Sequence, residues 1–186
     1  MASGTRTIPA VDKIFGPGNA YVTEAKRQLF GRVGIDLLPG PSEVLVVADE
    51  TANPAYVAAD LLAQAEHGSG KEKVFLIIKD EKKLDGIRHE VMLQAKSLKH
   101  GEAALRVIKK ACLVVVAADW DEVVAAANLI APEHMELQVE RSAQDMLVQR
   151  ITTAGAILLG ADTPTVLGDF TAGPSHTLPT DRTGRF

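Results

Sequence analysis

Two pairs of side chains in this sequence have the types and spacing to do chemistry. Gln64 and His67 close the run Ala58-Ala59-Asp60-Leu61-Leu62-Ala63-Gln64-Ala65-Glu66-His67-Gly68. Three residues apart, they leave the same side of a last helical turn. A neutral amide and an imidazole presented together can ligate a metal or hold a polar substrate. The plainer alternative is a half-exposed pair at a fraying helix end. Glu133 and His134 follow Pro132 and offer two proton-transfer groups whose pKa values can be set apart. Adjacent residues diverge on a strand or a helix, so both reach one pocket only where the backbone turns; otherwise they sit in a solvated loop. Asp169 and His176 lie in a long polar terminal stretch, and Ser42 precedes the first strong strand signal. Asn19 follows Gly16-Pro17-Gly18 at a helix start, where backbone amides suit an anion or a cofactor's polar edge. Tyr21 stands where a dinucleotide fingerprint needs its third glycine, so a simple capped turn is the competing reading.

Alternating strands and helices must position these groups. Val44 to Ala48 is a β-branched run, as in a strand covered on both faces. A helix from Pro54 to His67 follows, capped by Asn53 and ended by Gly68 and Gly70. Val74 to Ile78, Leu113 to Ala117, Met135 to Val139 and Ala156 to Leu159 read as further strands. Helical spacing covers Ala20 to Phe30, Glu81 to Lys99, Glu102 to Lys110, Asp119 to Leu129 and Ser142 to Ile151. Pro9 to Phe15 reads as an opening strand. The fold class expected is α/β, an open and mostly parallel sheet with helices on both faces, Rossmann-like but incomplete. Residues 1–42 form an arm, 43–160 the core and 161–186 a C-terminal loop or arm. In such sheets ligands gather at the carboxyl ends of the strands.

Composition narrows the function classes. The 186 residues are 46% hydrophobic and 24% charged, ordinary for one globular domain. A net charge of -4 gives no electrostatic case for nucleic acid or an anionic membrane. No apolar run approaches the roughly 18 residues of a membrane span. The opening Met1-Ala2-Ser3-Gly4-Thr5-Arg6 has no apolar signal core, so a cytoplasmic protein is expected, or a plastid one for a plant parent. The single Cys112, within Ala111-Cys112-Leu113-Val114, reads as a buried core residue rather than a nucleophile. His89 and His100, in charged surroundings, read as surface residues.

Longer motifs carry a resemblance that spacing cannot supply. Gly16-Pro17-Gly18-Asn19-Ala20-Tyr21, Pro39-Gly40-Pro41-Ser42-Glu43 and the run from Ala58 to Gly68 all resemble the histidinol dehydrogenase family. So do Asn128-Leu129-Ile130-Ala131-Pro132-Glu133-His134-Met135-Glu136, Gly168-Asp169-Phe170 and Gly173-Pro174-Ser175-His176-Thr177-Leu178-Pro179-Thr180, in family order. The resemblance implies oxidation of L-histidinol to L-histidine through histidinaldehyde, with two NAD⁺ and one Zn²⁺. It implies that Gln64, His67 and Asp169 are zinc ligands, that His134 is the base for the alcohol proton, and that Glu133 activates water. It further implies a substrate pocket including Ser42, Gln64, His67, His134, Asp169 and His176, and a cofactor contact at Asn19.

Family members are more than twice as long and work as intertwined homodimers. A fourth zinc ligand, a histidine, and a substrate-binding glutamate come from a C-terminal segment of the partner, beyond the region that this sequence resembles. The sequence thus resembles the middle of the enzyme. Two other readings remain open at this level: a catalytically silent fragment that binds zinc or a partner chain, and a dehydrogenase of another polar alcohol.

Overall fold

A computed structural model of the chain describes residues 1–169 and 178–186, and for Asp169 the backbone alone. Five parallel strands form the central sheet: β3 (Glu43–Ala48), β4 (Lys73–Ile78), β5 (Cys112–Val116), β6 (His134–Gln138) and β7 (Ala156–Leu159). They lie in the order β5-β4-β3-β6-β7. Two short strands, β1 (Lys13–Ile14) and β2 (Gly34–Ile35), pair separately in the N-terminal arm. The sheet is therefore α/β and parallel throughout. Its order reverses between β3 and β6, as in doubly wound folds.

Both faces of the sheet are covered, for a reason visible along β3. Val44, Val46 and Ala48 point to one face and Leu45 and Val47 to the other, all at most 1% exposed. Helices α2 (Pro54–Ala65), α3 (Lys83–Ala95) and α4 (Gly101–Ala111) cover the first face with Val57, Leu61, Leu62, Ile87, Val91 and Ala104. Helices α5 (Trp120–Ile130) and α6 (Arg141–Arg150) cover the second with Val123, Ala127 and Leu147. The caps are as the residue types demand. Asn53 accepts the Ala55 N–H before Pro54 opens α2, and the Asp119 side chain accepts the Glu122 N–H of α5.

The arm is held by a buried ion pair. Helix α1 (Ala20–Leu29) carries Lys26, whose Nζ meets Asp36 Oδ1 at 2.7 Å and also donates to the Gly16 carbonyl. The other Asp36 oxygen accepts the Gly16 N–H at 2.9 Å. At the opposite end of the chain, Asp181 pairs with Lys73, and Thr180 accepts the Gly40 N–H. The C-terminal residues thereby return to the start of β3.

Several expectations need correction. Helix α2 stops at Ala65, and His67 lies in the bend beyond it. The strand expected over Pro9 to Phe15 is only two residues long, because among the described residues it pairs with β2 alone. Among the described residues, strands β5 and β7 each have one partner, which makes them edges that are not fully buried. Leu113 is 51% exposed for this reason. Cys112 shares that edge and is half-buried against α4's cluster, although burial still pushes its thiol pKa up. His89 and His100 are exposed, as expected.

Candidate functional site

The polar pairs meet, but at the end of the sheet opposite to that expected. Strands β3 and β6 begin beside one another, with Val44 in register with His134 and His134 in turn with Ala156. In a parallel βαβ unit the crossover helix runs back against the strands. The carboxyl end of α2 therefore arrives at the amino ends of β3 and β6. Gln64 and His67, Ser42, Glu133 and His134 all line one cavity of about 870 Å³ there. At the carboxyl ends, the Asp49 carboxylate joins the strands instead: Oδ2 accepts the Glu140 N–H at 2.8 Å, and Oδ1 takes both donors of Thr51. The negative end of the α2 dipole faces the cavity, which favours a cation over an anion at this position.

Gln64 is 8% exposed, and its Nε2 is buried without a hydrogen-bond partner among the described residues. An amide's oxygen and nitrogen are distinguished only by their partners, so such an amide is equally able to turn its oxygen into the cavity. His67 is exposed to the same space just past the helix, where Gly68, at φ 101°, permits the chain to turn away. An amide oxygen and an imidazole nitrogen at a helix carboxyl end fit a zinc ion in donor type. They are two donors, and no group of three or more His, Cys, Asp or Glu that could hold a metal occurs among the described residues. The side chain of Asp169 and all of His176 lie outside the described residues. The backbone of the 3-10 turn Thr165–Asp169 nevertheless reaches the cavity, whose wall includes Thr165 and Gly168.

The backbone turn that brings Glu133 and His134 to one pocket is present just before them. Ala131 ends α5 in the left-handed region, φ 48° and ψ 61°, and throws the chain into Pro132 and β6. Glu133 is 6% exposed; its Oε2 accepts the Glu43 N–H at 3.0 Å and lies 3.7 Å from His134 Nδ1. His134 Nδ1 is 3.4 Å from the Glu43 carbonyl oxygen. Burial raises the pKa of Glu133 and the Glu43 N–H lowers it, while the Glu43 charge adds to the rise; the result is about 7. A carboxyl group so tuned can exchange a proton at neutral pH. Gly155 is required beside it, because a Cβ there would fall 2.6 Å from the Glu133 carbonyl oxygen.

Asn19 makes the capped turn that was the competing reading of its position. Its Oδ1 caps α1 by accepting the Tyr21 and Val22 N–H groups at 3.0 and 3.2 Å. That leaves only the amide nitrogen to reach a ligand. Pro17 and Gly18 of the same loop line the cavity.

Sequence reasoning missed an acidic pair on the floor of the site. Along β6, His134, Glu136 and Gln138 alternate with the buried Met135 and Leu137, so all three polar residues face α2. Three polar residues at period two in a strand buried on both faces was the available signal. Glu136 is 1% exposed and lies against Asp60, one turn before Gln64 on α2. Burial and the neighbouring Glu136 push Asp60 up to about 8, against the Gln138 amide, which donates to it at 2.6 Å. Asp60 thus holds its proton to a higher pH than an ordinary carboxyl group does.

Comparison with known proteins identifies the family. The family model for histidinol dehydrogenase matches residues 1–186. The chain is 48% identical to histidinol dehydrogenase of Rhizobium meliloti strain 1021 over 186 residues, all of this chain and 42% of that protein. It is 49% identical to that of Desulfotalea psychrophila over 187 residues, again 42% of the relative. The crystal structure of histidinol dehydrogenase from Elizabethkingia anophelis superposes with a TM-score of 0.90 at 42% identity, covering 97% of this chain and 41% of that one. A Δ-pyrroline-5-carboxylate dehydrogenase from Mycobacterium tuberculosis, 13% identical with a TM-score of 0.52, shares the fold alone. The chain spans less than half the length of the curated relatives it matches, and across all of its own length it belongs to the histidinol dehydrogenase family.

Proposed function

We propose that this chain supplies the central part of a zinc-containing, NAD-linked centre that oxidises L-histidinol to L-histidine in two steps, within a homodimer. The observation that carries the reading is the convergence of Gln64, His67, Ser42, Glu133 and His134 on one cavity from three distant parts of the chain. Gln64, His67 and Asp169 would hold Zn²⁺, which when bound anchors and orients the substrate by its imidazole and amine. NAD⁺ would supply the hydride acceptor for each step, and Asn19 would offer an amide donor to its binding.

His134 stands at the amino end of β6 as the base that takes the alcohol proton while hydride leaves the same carbon. The aldehyde then gains water, and Glu133 takes the proton from that water before the second hydride departs. One alcohol, one water and two NAD⁺ give one carboxylate, two NADH and three protons. A carboxyl group near pKa 7, sheltered from bulk water, is suited to the second deprotonation because it can both accept and release a proton. Ser42 and His176 would complete the pocket around the imidazole.

The test is NADH formation from the purified protein with histidinol, NAD⁺ and zinc, against Glu133→Gln/His134→Asn as the control. NADH above the control supports the reading. Rates equal to the control, or equal turnover of amino alcohols lacking imidazole, count against it.

A further inference from the structure

One buried carboxylate joins three segments of the proposed site: strand β6, helix α2 and the 165–169 turn. Glu136 Oε1 accepts two hydrogen bonds from a single residue of the C-terminal loop, the Thr165 N–H at 2.7 Å and the Thr165 Oγ1–H at 2.6 Å. Thr165 opens the 3-10 turn that ends at Asp169. Among the described residues, the other hydrogen bonds around the turn run from the Leu167 N–H to the Pro164 carbonyl and from the Thr163 hydroxyl to the Leu159 carbonyl. Glu136 also lies two residues after His134 on the same face of β6, in register with Val46 and Leu158. Against it sits Asp60 of α2, one helical turn before Gln64, itself held by Gln138. The second oxygen, Glu136 Oε2, is buried and has no hydrogen-bond partner among the described residues. A carboxylate removed from water to this degree is costly unless it is fully bonded. Nothing about packing the sheet requires it, since an apolar residue would serve β6 at that point as Met135 and Leu137 do on the other face.

We propose that Glu136 is a positioning residue: through its paired bonds to Thr165 it latches the 165–169 turn onto β6 and sets that turn opposite Gln64 and His67. The inference rests on the zinc reading above, with Asp169 as the ligand that the turn delivers. Glu136 itself touches neither metal nor substrate. Its effect on metal binding passes wholly through the turn.

A double-mutant cycle on the full 186-residue chain tests this, with zinc affinity measured by competition against a chromophoric chelator. Co²⁺ absorption provides a second readout of the ligand field. Glu136→Gln keeps an oxygen for both Thr165 donors and offers an amide N–H to Asp60, so zinc affinity should stay within about twofold. Glu136→Leu removes the latch and should weaken zinc roughly tenfold or more, the range usual for loss of a residue that orients a ligand. Thr165→Val removes only the hydroxyl and should weaken it about threefold. It also serves if the Leu variant does not fold. In an Asp169→Asn background both losses should shrink to less than about twofold, because the turn then has no ligand left to place. Equal losses in the two backgrounds, or no loss from Thr165→Val and Glu136→Leu, would overturn the proposal. Should Asp169→Asn and His67→Ala both leave zinc affinity unchanged, the zinc reading fails and the latch fails with it. A loss from Asp169→Asn without one from Thr165→Val refutes the latch alone.

Discussion

Replacing Glu133 by Gln should change how stability depends on pH, and by an amount the structure supplies. Glu133 has an ordinary pKa of 4.5 when unfolded and about 7 when folded, because it is buried, with only the Glu43 N–H favouring its charge. A raised folded pKa means that the native state holds the proton more tightly than the unfolded state. The native state is therefore favoured in acid, and that advantage disappears as pH rises from about 4.5 through about 7. At about 1.4 kcal/mol per pH unit, the span from 4.5 to about 7 corresponds to roughly 3 kcal/mol. The substituted amide would keep the oxygen that accepts the Glu43 N–H, yet cannot ionise. The stability of Glu133→Gln minus that of the parent should then rise by about 3 kcal/mol between about pH 4.5 and about pH 8. Asp60 also loses its native-state advantage on the alkaline side, up to about pH 8, but is present in both proteins and cancels in the difference. The assay is urea unfolding at half-unit pH steps in chelator, followed by the fluorescence of the single Trp120 and by far-UV circular dichroism. A difference that does not vary with pH, or that falls as pH rises, would refute the burial argument and with it the reason for treating Glu133 as a proton carrier near neutrality.

Other perturbations follow from particular contacts. Lys26→Met leaves Asp36 charged and buried, so it should cost about 3–5 kcal/mol in urea unfolding at pH 7. Burial raises the Asp36 pKa, but the bonds from Lys26 and the Gly16 and Leu37 N–H groups outweigh it, leaving it at about 2. A depressed folded pKa stabilises the native state above the unfolded value of 3.8 and ceases to do so as pH falls through about 2, so the gap between parent and Lys26→Met should narrow over that interval. Gly155→Ala should destabilise by at least about 2 kcal/mol, because the new methyl group meets the Glu133 carbonyl; an unchanged urea midpoint would contradict this. His67→Ala should lower zinc affinity at least about tenfold by elemental analysis of equilibrated protein, whereas equal zinc in mutant and parent would count against the ligand assignment.

The strands and helices were legible because their signals are local. The β-branched run at β3, the Asn53-Pro54 cap and the Pro132 turn each specify their own geometry. The location of the cavity was not, because the general rule for doubly wound sheets points to the carboxyl ends of the strands, whereas here Asp49 binds Thr51 and Glu140 at that end. What decides the matter is that Gln64 and His67 lie at the finish of a crossover helix, which must return to the strands' beginnings. Edge and centre were also undetermined by hydrophobicity alone. Leu113-Val114-Val115-Val116 is as apolar as Val44 to Ala48, yet lies on an edge because nothing pairs beyond it among the described residues. Asp60 and Glu136 escaped notice because a carboxyl group's neighbours depend on which helix crosses which strand. The alternation of His134, Glu136 and Gln138 was the trace they left.

The central claim is that Gln64 and His67 hold a zinc ion in the cavity that Glu133 and His134 face. Crystals of the chain soaked with zinc and histidinol, measured above and below the zinc absorption edge, test it most directly. An anomalous peak is expected about 2.0–2.2 Å from a ring nitrogen of His67 and from the side-chain oxygen of Gln64, with the substrate carbinol beside His134. A peak confined to the exposed His89 or His100, or zinc in the cavity bound to neither Gln64 nor His67, would contradict it.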